Sequence, residues 1–113
     1  MALPLNVFKT ITKVVHSEPV GIYTAPVVYS WVILLAQATN VDSISHTISL
    51  DHVRTRTGTA VTTEVVKSMA IPGHDTMALT SGKLVLEQGD SLSIAASDDG
   101  KMKFIASILE ALN

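Results

Sequence analysis

The sequence predicts an all-β chain, an antiparallel β-sandwich or jelly roll of about eight strands, on three observations. Val, Ile and Thr make up roughly 30% of the residues and Ser plus Thr about 20%, and β-branched side chains suit a pleated surface while losing χ1 freedom in a helix. Apolar and polar residues alternate with period 2 in several segments. Turn signals separate these segments at short, regular intervals, the pattern of a sandwich rather than of βαβ units.

In chain order the expected strands are 6–16, 20–24, 27–39, 43–54, 60–71, 76–87, 90–97 and 101–110. Alternation is cleanest at Ile44 to Asp51, where Ile44, Ile48 and Leu50 oppose Ser45, Thr47, Ser49 and Asp51, and at Ser91 to Ser97, where Leu92, Ile94 and Ala96 oppose the serines. Val61, Val65, Met69 and Ile71 form a further two-residue series. The segments Val27–Ala38 and Met102–Leu109 are apolar on both faces, which suggests central strands with a second layer or a neighbouring subunit outside them. Glu18-Pro19, Ala25-Pro26, Asn40-Val41-Asp42, Thr57-Gly58, Ile71-Pro72-Gly73, Ser81-Gly82, Gln88-Gly89-Asp90 and Asp98-Asp99-Gly100 supply the turns. Asp-Gly suits a type I′ turn, so 98–100 is the strongest hairpin signal. A helix over Lys101 to Leu112 is the alternative there, and the preceding Asp-Asp-Gly with Ile105 and Ile108 favours strand. Ile48, Leu50, Leu92, Ile94, Phe104 and Ala106 form the expected core.

A chain of 113 residues is one domain's worth, 1–113, with 2–17 as an N-terminal arm or first strand. Hydrophobic residues are 47% and charged residues 16%, against about 25% charged in typical domains, and the mean hydropathy is +0.38. A domain this small buries only about 60–70% of its unfolded surface, so the apolar surplus points to a partner subunit. Disorder is excluded by the same numbers. A net charge of −2 lacks the basic footprint of a nucleic-acid binder. With no cysteine, disulfide scaffolds, thiolate metal sites and cysteine nucleophiles are out. The apolar run Val32 to Ala36 is far short of the roughly 20 residues of a spanning helix. Met1 to Asn6 carries no signal-peptide pattern, so assembly in the cytoplasm is expected.

Catalytic and metal chemistry find little support. His46 and His52 share a strand face but lie about 20 Å apart at 3.3 Å per residue, and His74-Asp75 sits in a turn. No paired-ligand spacing appears, and each histidine reads as a surface or interface residue. The carboxylates are scattered, and neither a Gly-x-Ser-x-Gly elbow nor a phosphate loop occurs. Arg54-Thr55-Arg56 is a short basic patch that reads as solvated. Tyr23, Tyr29 and Trp31 could stack a sugar or base, although packing is the favoured use.

Several phrases in order, namely Val20-Gly21-Ile22-Tyr23-Thr24-Ala25-Pro26, Val32 to Asn40, Ala70-Ile71-Pro72-Gly73-His74-Asp75, Gly82 to Leu92 and Ser107-Ile108-Leu109-Glu110, resemble small β-sandwich virion structural proteins of tailed bacteriophages, such as those of cyanobacterial and other aquatic hosts. The resemblance covers residues 20–110. It implies a non-enzymatic protein, with no catalytic residues and no cofactor, either a capsid cement (decoration) protein or a tail, neck or baseplate component. The expected location is the virion, assembled in the host cytoplasm. The expected partners are major capsid or tail proteins and the chain itself, as a trimer at a head site or a hexamer in a tail ring, with neither nucleic acid nor membrane involved. Val28, Tyr29, Trp31, Ile33, Ile105 and Leu109 are the candidate interface residues. Two rival readings stand beside it: a carbohydrate-binding module of a host-recognition fibre, built on Tyr23, Tyr29 and Trp31, and a jelly-roll metal enzyme using His46, His52 or His74.

Overall fold

The computed structural model describes residues 6–25, 28–56 and 58–112, and within them the chain is all-β. Residues 2–5 of the expected arm, Pro26, Val27 and Thr57 lie outside the described residues, as do the side chains of Tyr23 and Arg56. The strands are β1 (Asn6–Val15), β2 (Val20–Thr24), β3 (Tyr29–Asn40), β4 (His46–Arg56), β5 (Thr59–Ile71), β6 (Thr76–Ala78), β7 (Leu84–Leu86), β8 (Ser91–Ala96) and β9 (Met102–Leu112). One sheet runs β1-β9-β3, with β6 and β7 one after the other on the far edge of β3; the second runs β2-β8-β4-β5. All pairings are antiparallel. Six of the eight connections pass from one sheet to the other, so the layers are laced together along the chain.

The period-2 pattern explains the core. Ile48 and Leu50 of β4 and Leu92, Ile94 and Ala96 of β8 project from the second sheet towards Trp31, Ile33, Ala36 and Ala38 of β3 and Met102, Phe104, Ala106 and Ile108 of β9. The six expected core residues are all buried among them. The ends of the sandwich are closed by backbone bonds, Ala96 N–H at the end of β8 to His16 C=O at 2.9 Å and Ala25 N–H to Asp90 C=O, loop to loop, at 2.9 Å. Asn40, fully buried, closes one corner: its Nδ2 donates to the carbonyls of Ile44 (2.8 Å) and Ile71 (2.9 Å), and its Oδ1 accepts from Asp42 N–H (2.9 Å). Beside that corner Gly73 leaves no room for a side chain, because a Cβ there would meet Ser43 O at 2.4 Å.

Three expectations are corrected. Asp98-Asp99-Gly100 is not a hairpin: Gly100 has the positive φ expected of it (+71°), but β8 and β9 belong to different sheets and the turn carries the chain across. The expected strand 76–87 is two three-residue strands, interrupted by Leu79 to Lys83, with the Leu79 N–H turned onto Ala36 C=O (2.8 Å). The series Val61, Val65, Met69, Ile71 keeps to the core side: Ile71 is buried, Val65 and Met69 pack against the core, and Val61 stands opposite Arg54 on that same side. Two register shifts in β5, opposite Ile48–Leu50 and Leu50–Asp51, leave its inward side unchanged overall and add buried Val66 to it. Val61 is 58% exposed because it lies on the β4–β5 tip, beyond the last β4–β8 pair. Ile44 precedes β4 and is exposed, because the Asn40 corner delays the strand to His46. The segment open to a helical reading is β9, paired on both sides along its length.

Candidate association surface

Because successive strand residues alternate between faces, the inward set of the β1-β9-β3 sheet defines the outward one. The register aligns Phe8, Leu109, Val32 and Val85 in one row across β1, β9, β3 and β7. The next row holds Thr10, Ser107 and Leu35, and the third Thr12, Ile105, Gln37 and Ala78. The last holds Val14, Lys103, Thr39 and Thr76, so Lys103 is the one charged side chain of the four rows. Phe8 is 75% exposed and Val85 51%, with Val14, Leu34, Leu35 and Ile105 also exposed. The outer face of the other sheet differs in character. Gly21, Ser93, Asp51 and Glu64 share one row, with Ser91 against Val53 and Ala95 against Ser49 nearby. The sandwich thus has one outer face where large apolar side chains stand among threonines with a single charge, the dry face, and one of small and hydroxylated residues that carries Asp51 and Glu64.

Of the candidate interface residues, Ile105 and Leu109 lie on the dry face. Trp31 (1% exposed) and Ile33 project the other way into the core, so they leave the candidate set. Tyr29 is half-buried at the start of β3, and Val28, just before it, is exposed with its N–H donated to Gln88 Oε1 at 2.9 Å. Phe8 and Val85 are absent from that set, and Val32 and Leu35 are foreshadowed only as part of the segment Val27–Ala38, apolar on both faces. Phe8 and Val85 lie in segments whose own alternation is weak, and only the register with β9 and β3 shows which way they point.

The buried ionisable groups tie strands together. Asp90, 1% exposed, accepts from Arg54 Nε (3.0 Å) and Nη2 (2.7 Å) and from Glu87 N–H (2.9 Å), and bonds His52 Nε2 (3.1 Å). Burial alone would raise its pKa; Arg54, the Glu87 amide and His52 outweigh that and hold it at about 2. Arg54 also grips Glu87, and its own pKa is raised, chiefly by Asp90. The expected solvated arginine is therefore half-buried and clamps the β7–β8 turn onto β4. On the other sheet Glu110 accepts from Trp31 Nε1 (3.1 Å) and pairs with Lys9 Nζ (2.7 Å). Burial opposes its ionisation, and Lys9 and Trp31 still leave its pKa lowered. This bond and its burial take Trp31 out of any sugar-stacking platform.

His46 Nε2 bonds Asp42 Oδ2 at 2.8 Å, and Ser97 Oγ stands 3.5 Å from its Nδ1. The order Ser, His, Asp is that of a nucleophile relay, but Ser97 Oγ already accepts from Thr47 N–H at 3.0 Å, and its contact with the ring is at the outer limit of a hydrogen bond. The triplet pins the start of β4 to the end of β8. His46 and His52 stand at opposite ends of the core-facing row of β4 with separate carboxylates, and no group of three or more ligand-type side chains gathers among the described residues.

No protein-family model matches the sequence, and no curated protein matches it. Solved structures do. A chain of the T13 infectious bursal disease virus particle superposes with a TM-score of 0.57 at 11% identity, covering 97% of this chain and 32% of that one. A chain of the VP2 subviral particle of the same virus gives 0.54 at 13% identity, with 95% and 33% covered. A chain of the Bacillus endospore appendages, a family of disulfide-linked pili, gives 0.53 at 13% identity, with 96% and 88% covered. At these identities the likeness is one of fold. The chain spans about a third of the length of the virus-particle chains it matches.

Proposed function

We propose that this chain is a non-enzymatic virion structural protein whose dry face, on the β1-β9-β3 sheet, joins copies of the chain to one another and to neighbouring capsid or tail subunits. The observation that carries this reading is that face. Four strands at about 4.8 Å spacing and seven residues at about 3.3 Å present about 400 Å² in projection, about half of it under apolar side chains, with Phe8, Leu109, Val32 and Val85 forming an unbroken apolar row. Apolar patches larger than a few hundred Å² mark interaction sites. The likeness in fold to virus-particle chains supports the assembly in which such a face is covered. The buried ionisable groups agree with a scaffold, since each joins one strand or turn to another. Cyclic association, a trimer at a head site or a hexamer in a tail ring, leaves no copy of the face open.

Light scattering on the purified protein at micromolar concentration tests association, with an oligomer expected. Ile105→Asp, exposed at the centre of the dry face, is expected to stay folded and to lower the oligomer number by removing the contacts made through this face. A stable 12.0 kDa monomer of the unaltered chain overturns self-association through this face. Cryo-electron microscopy of virions assigns the site: density on the shell supports a cement protein, density in the tail a tail component, and absence from the particle overturns the virion reading.

A further inference from the structure

We propose that the first six residues of β5, 59–64, pair with the same segment of a second copy of this chain about a two-fold axis at Thr62. The β2-β8-β4-β5 sheet would then continue across two molecules. This contact lies on the opposite sheet from the dry face and stands independently of it.

The inference begins with how the four sheet edges are protected. An exposed edge strand offers unpaired N–H and C=O groups to any other strand, and folded chains blunt it with inward charges, bulges, breaks or shortness. On β1, Lys9 and Lys13 stand opposite the buried Ile108 and Phe104, so both cations lie on the core-facing side of an edge strand. The edge formed by β6 and β7 is two three-residue pieces with a break between them. The β2 edge is five residues long and carries a register shift between Gly21 and Tyr23. β5 is protected only in its second half. There two register shifts and the positive φ of Ser68 (+52°) bend the strand, and Ser68 N–H is donated to Ser49 Oγ at 2.9 Å.

Residues 59–64 carry none of these devices. Thr-Ala-Val-Thr-Thr-Glu pairs with Arg56 to Asp51 without interruption, contains no Lys, Arg, Pro or Gly, and is exposed throughout. Pairing of β4 with β8 ends at Val53 and Ser91, so the β4–β5 tip overhangs the sandwich and another chain can come alongside. Among the described residues no backbone bond from 59–64 runs to a neighbour other than β4.

The hydrogen-bond phase selects the occupant. Arg56 and Thr59 face each other across a two-residue connection, which is a hydrogen-bonded pair, so alternation turns Thr59, Val61 and Thr63 towards β4 and Ala60, Thr62 and Glu64 outwards. An antiparallel second copy centred on Thr62 sets Thr62 against Thr62, and Ala60 against Glu64 twice. Three outward pairs, two bonds each, then close without opposing like charges. Centring on Glu64 would oppose two carboxylates and run into the bulge, and a one-residue slip would bring the wrong backbone groups together. The open stretch ends where the self-complementary pairing ends, which favours a second copy over a longer foreign strand.

The chain has no cysteine, so thiol cross-linking reads the register. In the proposed pair Val61 faces Thr63 of the second copy at a non-hydrogen-bonded position, where a Cα separation of about 4.5 Å suits a disulfide. Tagged Val61→Cys mixed with untagged Thr63→Cys in a thiol–disulfide buffer is expected to give heterodisulfide in at least about fivefold excess over either homodisulfide. A statistical mixture, or no linkage, overturns the proposal. Amide exchange on the unaltered protein gives an arm free of folding defects. Protection of Ala60, Thr62 and Glu64 should rise with protein concentration while Val61 and Thr63 stay constant. Protection that is independent of concentration, or that rises only when virions are added, overturns self-pairing.

Discussion

Replacing Asp90 by Asn removes one charge from a buried cluster and nothing else of size, which makes its cost readable. The carboxylate is 1% exposed and satisfied by Arg54, the Glu87 amide and His52. Its pKa falls from 3.8 to about 2, burial pushing up and those three partners pulling down more. Each pKa unit is worth about 1.4 kcal/mol, so ionised Asp90 contributes about 2 kcal/mol to folding. The group is depressed in the folded state. Its contribution is therefore complete above the unfolded value, at pH 5 and higher, declines as pH falls through 3.8, and is gone near pH 2. In a chain of this length about 2 kcal/mol corresponds to about 8 °C in Tm. Thermal unfolding followed by circular dichroism should thus separate the native chain from Asp90→Asn by about that much at pH 7, and the gap should close steadily between pH 5 and pH 2. The comparison cancels Glu110, Asp42 and Asp99, whose lowered pKa values are common to both proteins. A gap that does not change with pH, or no gap at pH 7, refutes the view that this ion cluster anchors the β7–β8 turn.

Phe104→Ala empties a fully enclosed site between the sheets and should cost about 3–5 kcal/mol in denaturant unfolding; an unchanged midpoint would mean the ring lies elsewhere. Gly73→Ala drives a methyl into the Ser43 carbonyl, backbone that cannot swing aside, and a loss of about 1–3 kcal/mol is expected in the same assay. Gly100→Val places a β-branched residue at φ +71° and should cost about 1–3 kcal/mol, read as a lower Tm. Trp31 is the chain's one tryptophan and is enclosed, so its fluorescence should resist iodide quenching and stay unchanged across a glycan panel. Ready quenching in the folded protein would revive the carbohydrate-binding alternative.

What could be read from the residues was local. The alternations at 91–97 and at 44–51 specify strand and inward face by themselves, and they hold except at Ile44, which precedes β4 and is exposed. The glycine of Asp98-Asp99-Gly100 announced its positive φ but not its destination, because whether a turn closes a hairpin or crosses between layers depends on which strands its neighbours join. At β5 the side was legible and the burial was not. Val65, Met69 and Ile71 lie in or against the core, while Val61 on the same side is exposed, because nothing in the residues shows that the β4–β5 tip overhangs the sandwich. Apolarity on both faces of β3 and β9 did signal an unsatisfied surface. It could not separate Trp31, which faces the core, from Val32, which faces out, until the bond from Trp31 to Glu110 fixed the parity.

The pairing of β1 with β9 has a consequence for synthesis. Residues 6–15 are bonded to residues 102–111, about 90 to 100 positions later in the chain. At about 5–20 residues per second, a ribosome takes on the order of 5–20 s to deliver the partner strand. Throughout that interval Phe8, Ile11 and Val14 travel on a strand whose only mate has yet to be made, while β4 and β5, neighbours in sequence, can already have closed. Local pairs form first and distant ones wait. A nascent chain of this design therefore spends its most vulnerable seconds with its first strand open, and a chaperone that holds residues 6–15 would raise its yield more than one that holds the β4–β5 hairpin.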